Sequence, residues 1–320
     1  MKKVLSIFLA FILIFSLAAC GSTPASSSTP VSASTPPASS APASSSEAPA
    51  PSADTVTEAA MNYFASFPED RHMSSVEDLF KKIDAGEEML IIDVRQPDAY
   101  AEGHLKGAVN VPYGTAVADA LEMIPDDVPL FINCYTGQTS SQVVALLNIA
   151  GKYATNIQGG FNNGISKQAG FEAYITKDAA TLPDEDYEVD DAIEDAIAAY
   201  FKDSTTNENK SFNFAPEKLI EAVASGKDEY TILSVRKAED YAAGHIQGAL
   251  NIPFGKGMQE QFSTIPTDKP VVVYCYTGQT SSQTVATLRM LGFEAYSLAG
   301  GMGKEGGSGW LGAKGPVVTD

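Results

Sequence analysis

Three residue types that often mark functional sites are scarce in this sequence. Its 320 residues include three cysteines, three histidines and one tryptophan. With so few sulfur and imidazole ligands and no Cys-x-x-Cys pair, we expect no metal site and no cofactor. Basic residues are also few: 21 Lys and Arg against 40 Asp and Glu give a net charge of −19. Phosphate binding needs a basic face, so this charge argues against nucleic acid as a partner and against electrostatic binding to anionic lipid.

The N-terminus predicts a lipid anchor. Lys2 and Lys3 precede an apolar run at 4–17, and small residues then lead to Cys20. The run is short for a membrane span, which needs roughly 17–25 residues. The arrangement resembles the lipobox of bacterial lipoproteins. The resemblance implies a signal peptide at 1–19, lipidation of Cys20 and a place on the extracytoplasmic face of the cell membrane. A plain secretory signal and a membrane span are the alternatives.

A low-complexity segment follows the predicted lipidation site. Residues 22–53 contain only Ser, Thr, Pro and Ala, apart from Val31 and Glu47. Such a composition cannot bury enough apolar surface to offset the entropy of ordering the chain. We therefore predict a disordered tether at 20–54, with a glycosylated stalk as the other interpretation.

The rest of the chain contains a duplication. Residues 91–160 align with 232–301 without a gap, and Cys134 to Gln142 is identical to Cys275 to Gln283. A repeat of this length is too long for a solenoid unit. We predict two copies of one domain, the first at 55–180 and the second, with a linker helix, at 181–320.

Each copy alternates short apolar runs with helical patterns. Runs bounded by turn residues are typical of strands buried on both faces of a parallel sheet, and the alternation predicts an α/β fold. The predicted strands are 89–93, 130–133 and 153–157 in the first copy, and 230–234, 271–274 and 294–298 in the second. The predicted helices are 76–84, 140–150, 192–202, 216–224 and 281–291, with Gly151 and Gly292 ending two of them.

Each copy places a cysteine where a buried strand ends and a helix is about to begin. Gly137 lets the loop after Cys134 take a positive φ, so that successive backbone N–H groups turn inward. These donors and the helix N-terminus would stabilise a thiolate, and the hydroxyls of Thr136, Thr139 and Ser140 would add to them. The rival interpretation is a disulfide between Cys134 and Cys275, which an extracytoplasmic location would permit.

The ordered motifs resemble the rhodanese, or sulfurtransferase, family. They are Asp-Val-Arg at 93–95, Tyr-x-x-Gly-His at 100–104, Cys-x-x-Gly-x-Thr at 134–139 and a Gly-Gly pair at 159–160, each with a counterpart in the second copy. The resemblance implies two doubly wound domains whose cysteines accept sulfane sulfur and pass it on as persulfides. It makes Cys134 and Cys275 the nucleophiles. The implied persulfide cradle is Tyr135, Thr136, Gly137, Gln138 and Thr139, with Tyr276, Thr277, Gly278, Gln279 and Thr280 in the second copy.

The composition of the loops narrows the chemistry. Related phosphatases and arsenate reductases use a loop one residue longer that closes with an arginine, whereas these loops end in threonine and contain no arginine. Phosphate would therefore lack a bidentate clamp, which favours sulfur transfer. The loops also contain no basic residue, so we expect thiosulfate, a dianion, to be a poorer donor than persulfides or polysulfides.

The remaining motif residues are expected to be mainly structural. Arg95 and Arg236 are possible supporting residues, and nearby carboxylates are their predicted partners, with candidates at Asp98, Glu102 and Asp240. His104 and His245 should order the strands that follow them, and Trp310 should lie in the core. Asp93 is replaced by Ser234 in the second copy, so equal activity of the two sites is in doubt.

The sequence therefore predicts an extracytoplasmic sulfurtransferase with a small-molecule sulfur donor, a thiol or cyanide-type acceptor and no metal. Contact with the membrane is expected only through the N-terminal lipid, and no particular protein partner is indicated. The alternatives are a non-catalytic sulfur- or redox-sensing lipoprotein and a thiol–disulfide or solute-binding protein that uses the same fold.

Overall fold

The computed structural model describes residues 53–319. The predicted signal peptide, the lipidation of Cys20 and nearly all of the predicted tether lie outside this range. The helices are α1 (Ala53–Ala65), α2 (Val76–Ala85), α3 (Pro97–Glu102), α4 (Thr115–Asp119), α5 (Gln138–Ile149), α6 (Asp191–Thr206), α7 (Pro216–Ser225), α8 (Ala238–Ala243), α9 (Gln279–Met290) and α10 (Gly309–Gly312). The strands are β1 (Met73–Ser74), β2 (Leu90–Asp93), β3 (His104–Leu105), β4 (Val109–Asn110), β5 (Leu130–Asn133), β6 (Ala154–Ile157), β7 (Ile175–Thr176), β8 (Asn213–Phe214), β9 (Thr231–Ser234), β10 (Leu250–Asn251), β11 (Val271–Tyr274) and β12 (Ala295–Leu298).

The strands form two parallel sheets, one for each repeat. The first repeat has the order β1-β6-β5-β2-β4, and the second has the order β8-β12-β11-β9-β10. The two orders correspond strand by strand. All the pairs within these sheets are parallel. A separate antiparallel pair, β3 with β7, belongs to the first repeat. The prediction of two α/β domains with parallel central sheets is confirmed.

Helices cover both faces of each sheet. Successive strand residues point to opposite sides, and both sides of the central strands are buried, so each side packs against helices. In β2, Ile92 packs in a large core that runs through both repeats, whereas Ile91 packs in a smaller core on the other face of the first sheet. The predicted strands and helices lie within a few residues of those observed. The largest difference is α6, which continues to Thr206 rather than ending at 202.

The two repeats are joined through the helices that follow their cysteines, since α5 packs against α9. The helix that precedes each repeat also crosses to the other repeat. α1 packs against α9 and the 3-10 segment Met258–Thr264 of the second repeat, and α6 packs against α4 of the first. We call this arrangement the exchange of α1 and α6. Two hydrogen bonds accompany it: Tyr63 of α1 donates to Gln283 at 2.8 Å, and Tyr200 of α6 donates to Gln142 at 2.6 Å.

Candidate functional site

Both cysteines lie at the carboxyl ends of central strands, as predicted. Cys134 directly follows β5, and Cys275 directly follows β11. Each side chain is about 1% exposed, and both cysteines are free thiols. The disulfide interpretation is therefore wrong, and each sulfur lies at the base of its own loop.

Each thiol lies within hydrogen-bonding distance of a backbone N–H from the loop and of a serine hydroxyl from the helix that follows it. The backbone N–H of Gly137 lies 3.1 Å from Cys134 Sγ, and Ser140 Oγ lies 3.1 Å from the same sulfur. In the second repeat the corresponding distances, from Gly278 N and Ser281 Oγ to Cys275 Sγ, are 3.1 and 3.4 Å. Such donors stabilise a sulfur that carries negative charge.

The backbone of the loop takes the conformation that the glycine permits. Gly137 has φ +86° and Gly278 has φ +88°, so the predicted positive φ is confirmed. The helices begin at Gln138 and Gln279, two residues before the predicted starts, which brings their N-termini closer to the sulfurs. Among the hydroxyls expected to help, it is that of Ser140 that contacts the sulfur.

The Gly-Gly pair after the last central strand supports the loop from behind. Phe161 N donates to Cys134 O at 2.7 Å, and Asn162 N donates to Tyr135 O at 2.8 Å. Gly160 lies so close that a Cβ atom would come within 2.5 Å of Cys134 O and 2.7 Å of Gly137 N. Gly301 stands in the same relation to Cys275 and Gly278. The motif is thus explained by close backbone approach to the loop.

The two loops face a common cleft of about 920 Å³ between the repeats. Thr136 and Gln138 of the first loop and Thr277 and Gln279 of the second are on its wall. Its charged lining residues are Glu77, Lys167 and Glu217. The sequence did not indicate this shared cleft, because it arises from the packing of one repeat on the other.

The partners of the two motif arginines differ from those predicted. Arg95 forms a buried ion pair with Asp93, with Nη2 to Oδ2 at 2.7 Å, and also donates to Gly103 O at 2.8 Å. The prediction of Asp98 or Glu102 was therefore wrong. Asp93 ends β2 two residues before Arg95, and its carboxylate accepts both the backbone N–H and the guanidinium of Arg95.

In the second repeat Ser234 stands at the position of Asp93, and Arg236 donates to Gly244 O. Arg236 Nε is buried and has no partner among residues 53–319. The predicted partner, Asp240, instead accepts a hydrogen bond from Tyr276 of the cysteine loop. The two sites therefore differ by one buried negative charge.

The histidines at equivalent positions of the two repeats order the backbone around them. His104 is fully buried, stacks on Tyr100 and contacts Tyr100 O at 2.8 Å through Nδ1. His245 contacts Tyr241 O at 3.0 Å in the same way. Trp310 is also fully buried, and its Nε1 donates to Pro316 O at 2.9 Å. These structural roles agree with the predictions.

Two features are absent from residues 53–319. No group of three or more His, Cys, Asp or Glu side chains within residues 53–319 is arranged to hold a metal ion. No helix in that part of the chain is long and apolar enough to cross a membrane.

Sequence reasoning missed the residues directly behind the serines. Ser140 Oγ lies 2.6 Å from Asn156 Oδ1, and the counterpart Ser281 Oγ lies 2.9 Å from Ser297 Oγ. The aligned repeats do carry the signal, because position 156 is Asn where position 297 is Ser. The difference has meaning only once β6 and β12 are placed next to the cysteine loops.

Comparison with known proteins agrees with this architecture. A rhodanese-like domain is matched at residues 75–167 and again at 215–304. The uncharacterized protein YqhL of Bacillus subtilis is 38% identical over 88 residues, which make up 27% of this chain and 69% of that protein. The thiosulfate sulfurtransferase GlpE of Coxiella burnetii is 40% identical over 76 residues, 23% of this chain and 70% of that protein. A tRNA sulfurtransferase of Desulfurococcus amylolyticus is 35% identical over 97 residues, 29% of this chain, and the match spans 19% of that protein's length. With matches that together span more than half of its length, the chain belongs to the rhodanese-like domain family and carries two such domains.

Proposed function

We propose that the protein is a sulfurtransferase that moves sulfane sulfur through persulfides of Cys134 and Cys275. The observation that carries the proposal is the polar loop around each free thiol, in which a backbone N–H donates to the sulfur at 3.1 Å and a serine hydroxyl lies 3.1 to 3.4 Å from it. The names of two relatives, a thiosulfate sulfurtransferase and a tRNA sulfurtransferase, support the reaction class.

The reaction has two steps. The cysteine thiolate attacks the outer sulfur of a donor persulfide or polysulfide, the donor's S–S bond breaks, and the donor leaves as a thiolate or shorter polysulfide. A thiolate acceptor then attacks the outer sulfur of the cysteine persulfide, and the cysteine thiolate returns as the leaving group. Positive φ at Gly137 and Gly278 turns N–H groups toward the sulfurs, where they stabilise the negative charge in both steps.

The charge of the cleft supports a donor other than thiosulfate. Its lining contains two glutamates and one lysine, and neither loop contains a basic residue. A dianion entering this cleft would meet net negative charge, whereas a singly charged persulfide would meet less repulsion.

The proposed location is the extracytoplasmic face of the cell membrane, with the protein anchored by lipid on Cys20. The support is the sequence around that cysteine. Metabolic labelling with an alkyne fatty acid should mark the full chain and not its Cys20→Ala variant. Equal labelling of both would remove the proposal.

Intact-mass analysis of the protein after incubation with a polysulfide tests the activity. We expect one added sulfur atom on each intact cysteine, loss of one addition in Cys134→Ser and in Cys275→Ser, and none in the double variant. A thiol acceptor should then remove the added sulfur. Failure of both cysteines to gain sulfur from polysulfide or thiosulfate would refute the transferase proposal.

A sulfur- or redox-sensing protein is the second candidate function. The near-complete burial of both thiols favours it, because a sensor needs one modification event rather than repeated access by donor and acceptor. Sulfur addition without release to any thiol acceptor would support sensing, and catalytic turnover would exclude it.

A further inference from the structure

The loop of the second repeat reaches into the site of the first. Gln279 is four residues after Cys275, yet its Oε1 accepts hydrogen bonds from Gly159 N and Asn156 Nδ2 of the first repeat, both at 3.0 Å. It also touches the first loop, since a Cβ on Gly137 would lie 2.4 Å from the same oxygen. The side chain is only 8% exposed.

These contacts determine which way two amide groups point. The backbone N–H of Gly159 can only donate, so the atom of Gln279 that faces it is the oxygen. Asn156 must then present its NH₂ group to that oxygen, and its own oxygen faces Ser140 Oγ at 2.6 Å. Gln279 Nε2 donates to Thr277 Oγ1 at 3.0 Å, which completes the arrangement.

The orientation of Asn156 decides what Ser140 can do for the sulfur. A serine hydroxyl has one proton, and Ser140 has two neighbours that accept it: Asn156 Oδ1 at 2.6 Å and Cys134 Sγ at 3.1 Å. The closer amide oxygen takes the proton. Ser140 therefore accepts a hydrogen bond from the thiol of Cys134. To donate to the thiolate, Ser140 must break its hydrogen bond to Asn156 Oδ1.

The second repeat has the opposite arrangement. Ser282 Oγ donates to Ser297 Oγ at 3.1 Å, and Ser297 lies 2.9 Å from Ser281 Oγ. Ser297 has one proton and two neighbours that can accept it, Ser281 Oγ at 2.9 Å and Gly278 O at 3.4 Å. The closer Ser281 takes that proton and keeps its own proton for Cys275. Gln138, the counterpart of Gln279, bonds Gly300 N at 3.0 Å and Asn213 Oδ1 at 3.3 Å instead of Ser297.

We propose that Gln279 is a positioning residue for the Cys134 site, and that through Asn156 and Ser140 it makes Cys134 less reactive than Cys275 near neutral pH. The inference deepens the proposed function by ranking its two cysteines. Cys275 is then the thiol that takes sulfur first, although the loop sequences are identical.

Thiol alkylation of the full chain measures this directly. Cys134 is followed in a Cys275→Ser background and Cys275 in a Cys134→Ser background, with the rate of iodoacetamide reaction recorded against pH. Gln279→Leu releases the amide of Asn156, which can then turn its NH₂ group to Ser140. We expect the midpoint of the Cys134 profile to move to lower pH and the rate at neutral pH to rise about three-fold or more, the effect of one gained hydrogen bond to a charged sulfur.

Two further variants separate positioning from shielding. Gln138→Leu is the matched control and should leave the midpoint of the Cys275 profile unchanged. Asn156→Ser gives the first repeat the residue of the second and should lower the Cys134 midpoint toward that of Cys275. Neither variant changes the charged and titratable groups around the first loop, which are Glu77, Asp93, Arg95, Tyr135, Lys167 and Glu217.

The inference is overturned if Gln279→Leu and Asn156→Ser leave the Cys134 midpoint in place. A rise in rate at every pH without a midpoint shift also overturns it, because Gln279 would then only shield the thiol. Equal shifts from the Gln138 and Gln279 variants would have the same consequence. Alkylation needs no sulfur donor, so a midpoint shift without sulfur loading would refute the transferase proposal and leave this inference standing.

Discussion

Replacement of Gln142 by leucine tests the exchange of helices between the repeats. Gln142 lies in α5 and is fully buried. Its Oε1 accepts hydrogen bonds from Tyr113 at 2.5 Å and Tyr200 at 2.6 Å, and its Nε2 donates to Ser211 O at 2.7 Å. Burial is the main cause that raises the pKa of both phenols, so they remain neutral donors over the ordinary pH range.

The cost follows from the groups that lose a partner. An unsatisfied buried polar group costs about 1–3 kcal/mol. Gln142→Leu removes the partner of the Tyr200 phenol and of the Ser211 carbonyl, whereas Tyr113 keeps hydrogen-bonding neighbours in Ser204 and Ser211 and loses less. The added apolar contact of leucine offsets part of this, which gives an expected loss of about 3 kcal/mol. The counterpart Gln283 bonds Tyr63 at 2.8 Å and Arg71 O at 3.3 Å, so Gln283→Leu should cost about 2 kcal/mol.

Urea unfolding of both variants under identical conditions gives the comparison. The loss should be larger for Gln142→Leu, and adding Tyr200→Phe to that variant should recover about 1 kcal/mol, because one unsatisfied hydroxyl is removed. Equal losses in the two glutamine variants, or no recovery from Tyr200→Phe, would refute the explanation that the loss comes from buried polar groups without hydrogen-bond partners.

Three further predictions concern a buried charge, a histidine and the donor. Asp93→Ser should lower the free energy of unfolding by about 3 kcal/mol, because it leaves a buried guanidinium without its carboxylate. Ser234→Asp should raise the free energy of unfolding. Urea unfolding that shows Asp93→Ser to be the more stable of the two variants would contradict this prediction. Burial lowers the pKa of His72, and the negative charge of Asp70 partly opposes this. Below about pH 6.5 the unfolded chain therefore binds more protons than the folded protein. The free energy of unfolding should accordingly fall as the pH drops through that region. His72→Phe introduces the residue found at the corresponding position of the second repeat, Phe212, and should remove this pH dependence. Identical profiles of melting temperature from pH 7.5 to 5.5 for the variant and the unchanged protein would contradict the prediction. Steady-state assays should give a kcat/KM for a singly charged alkyl persulfide about ten-fold or more above that for thiosulfate, because the dianion meets more repulsion in the acidic cleft. A low KM for thiosulfate would refute that reasoning.

The sequence was sufficient for the parts of the fold that rest on local pattern. The strands 130–133 and 271–274 were predicted with the observed bounds, since a short apolar run ended by a polar loop has few other interpretations. The positive φ of Gly137 followed from the need to turn a short loop between strand and helix. The position of both cysteines at strand ends followed in the same way.

What the sequence did not predict depends on contacts between distant segments. Arg95 pairs with Asp93 rather than Asp98 because the carboxylate at the end of β2 points to the same side as the guanidinium. The shared cleft and the reach of Gln279 into the first site arise from the packing of α5 on α9. No local pattern reports which repeat a given side chain will face.

The exchange of α1 and α6 also has a consequence for how the chain is made. Tyr63 and Gln283 are hydrogen-bonded across 220 residues, so α1 leaves the ribosome long before the surface that it covers exists. The first repeat cannot complete its packing until the second has been made, and the part of α1 that packs on α9 and Met258–Thr264 stays open to water until then, although α5 and α6 can cover the rest. Long-range contacts of this kind slow folding and prolong the exposure of apolar, aggregation-prone surface. Final assembly of the two repeats should therefore be a late and concerted event, and the first repeat alone should expose apolar surface until the second repeat has folded.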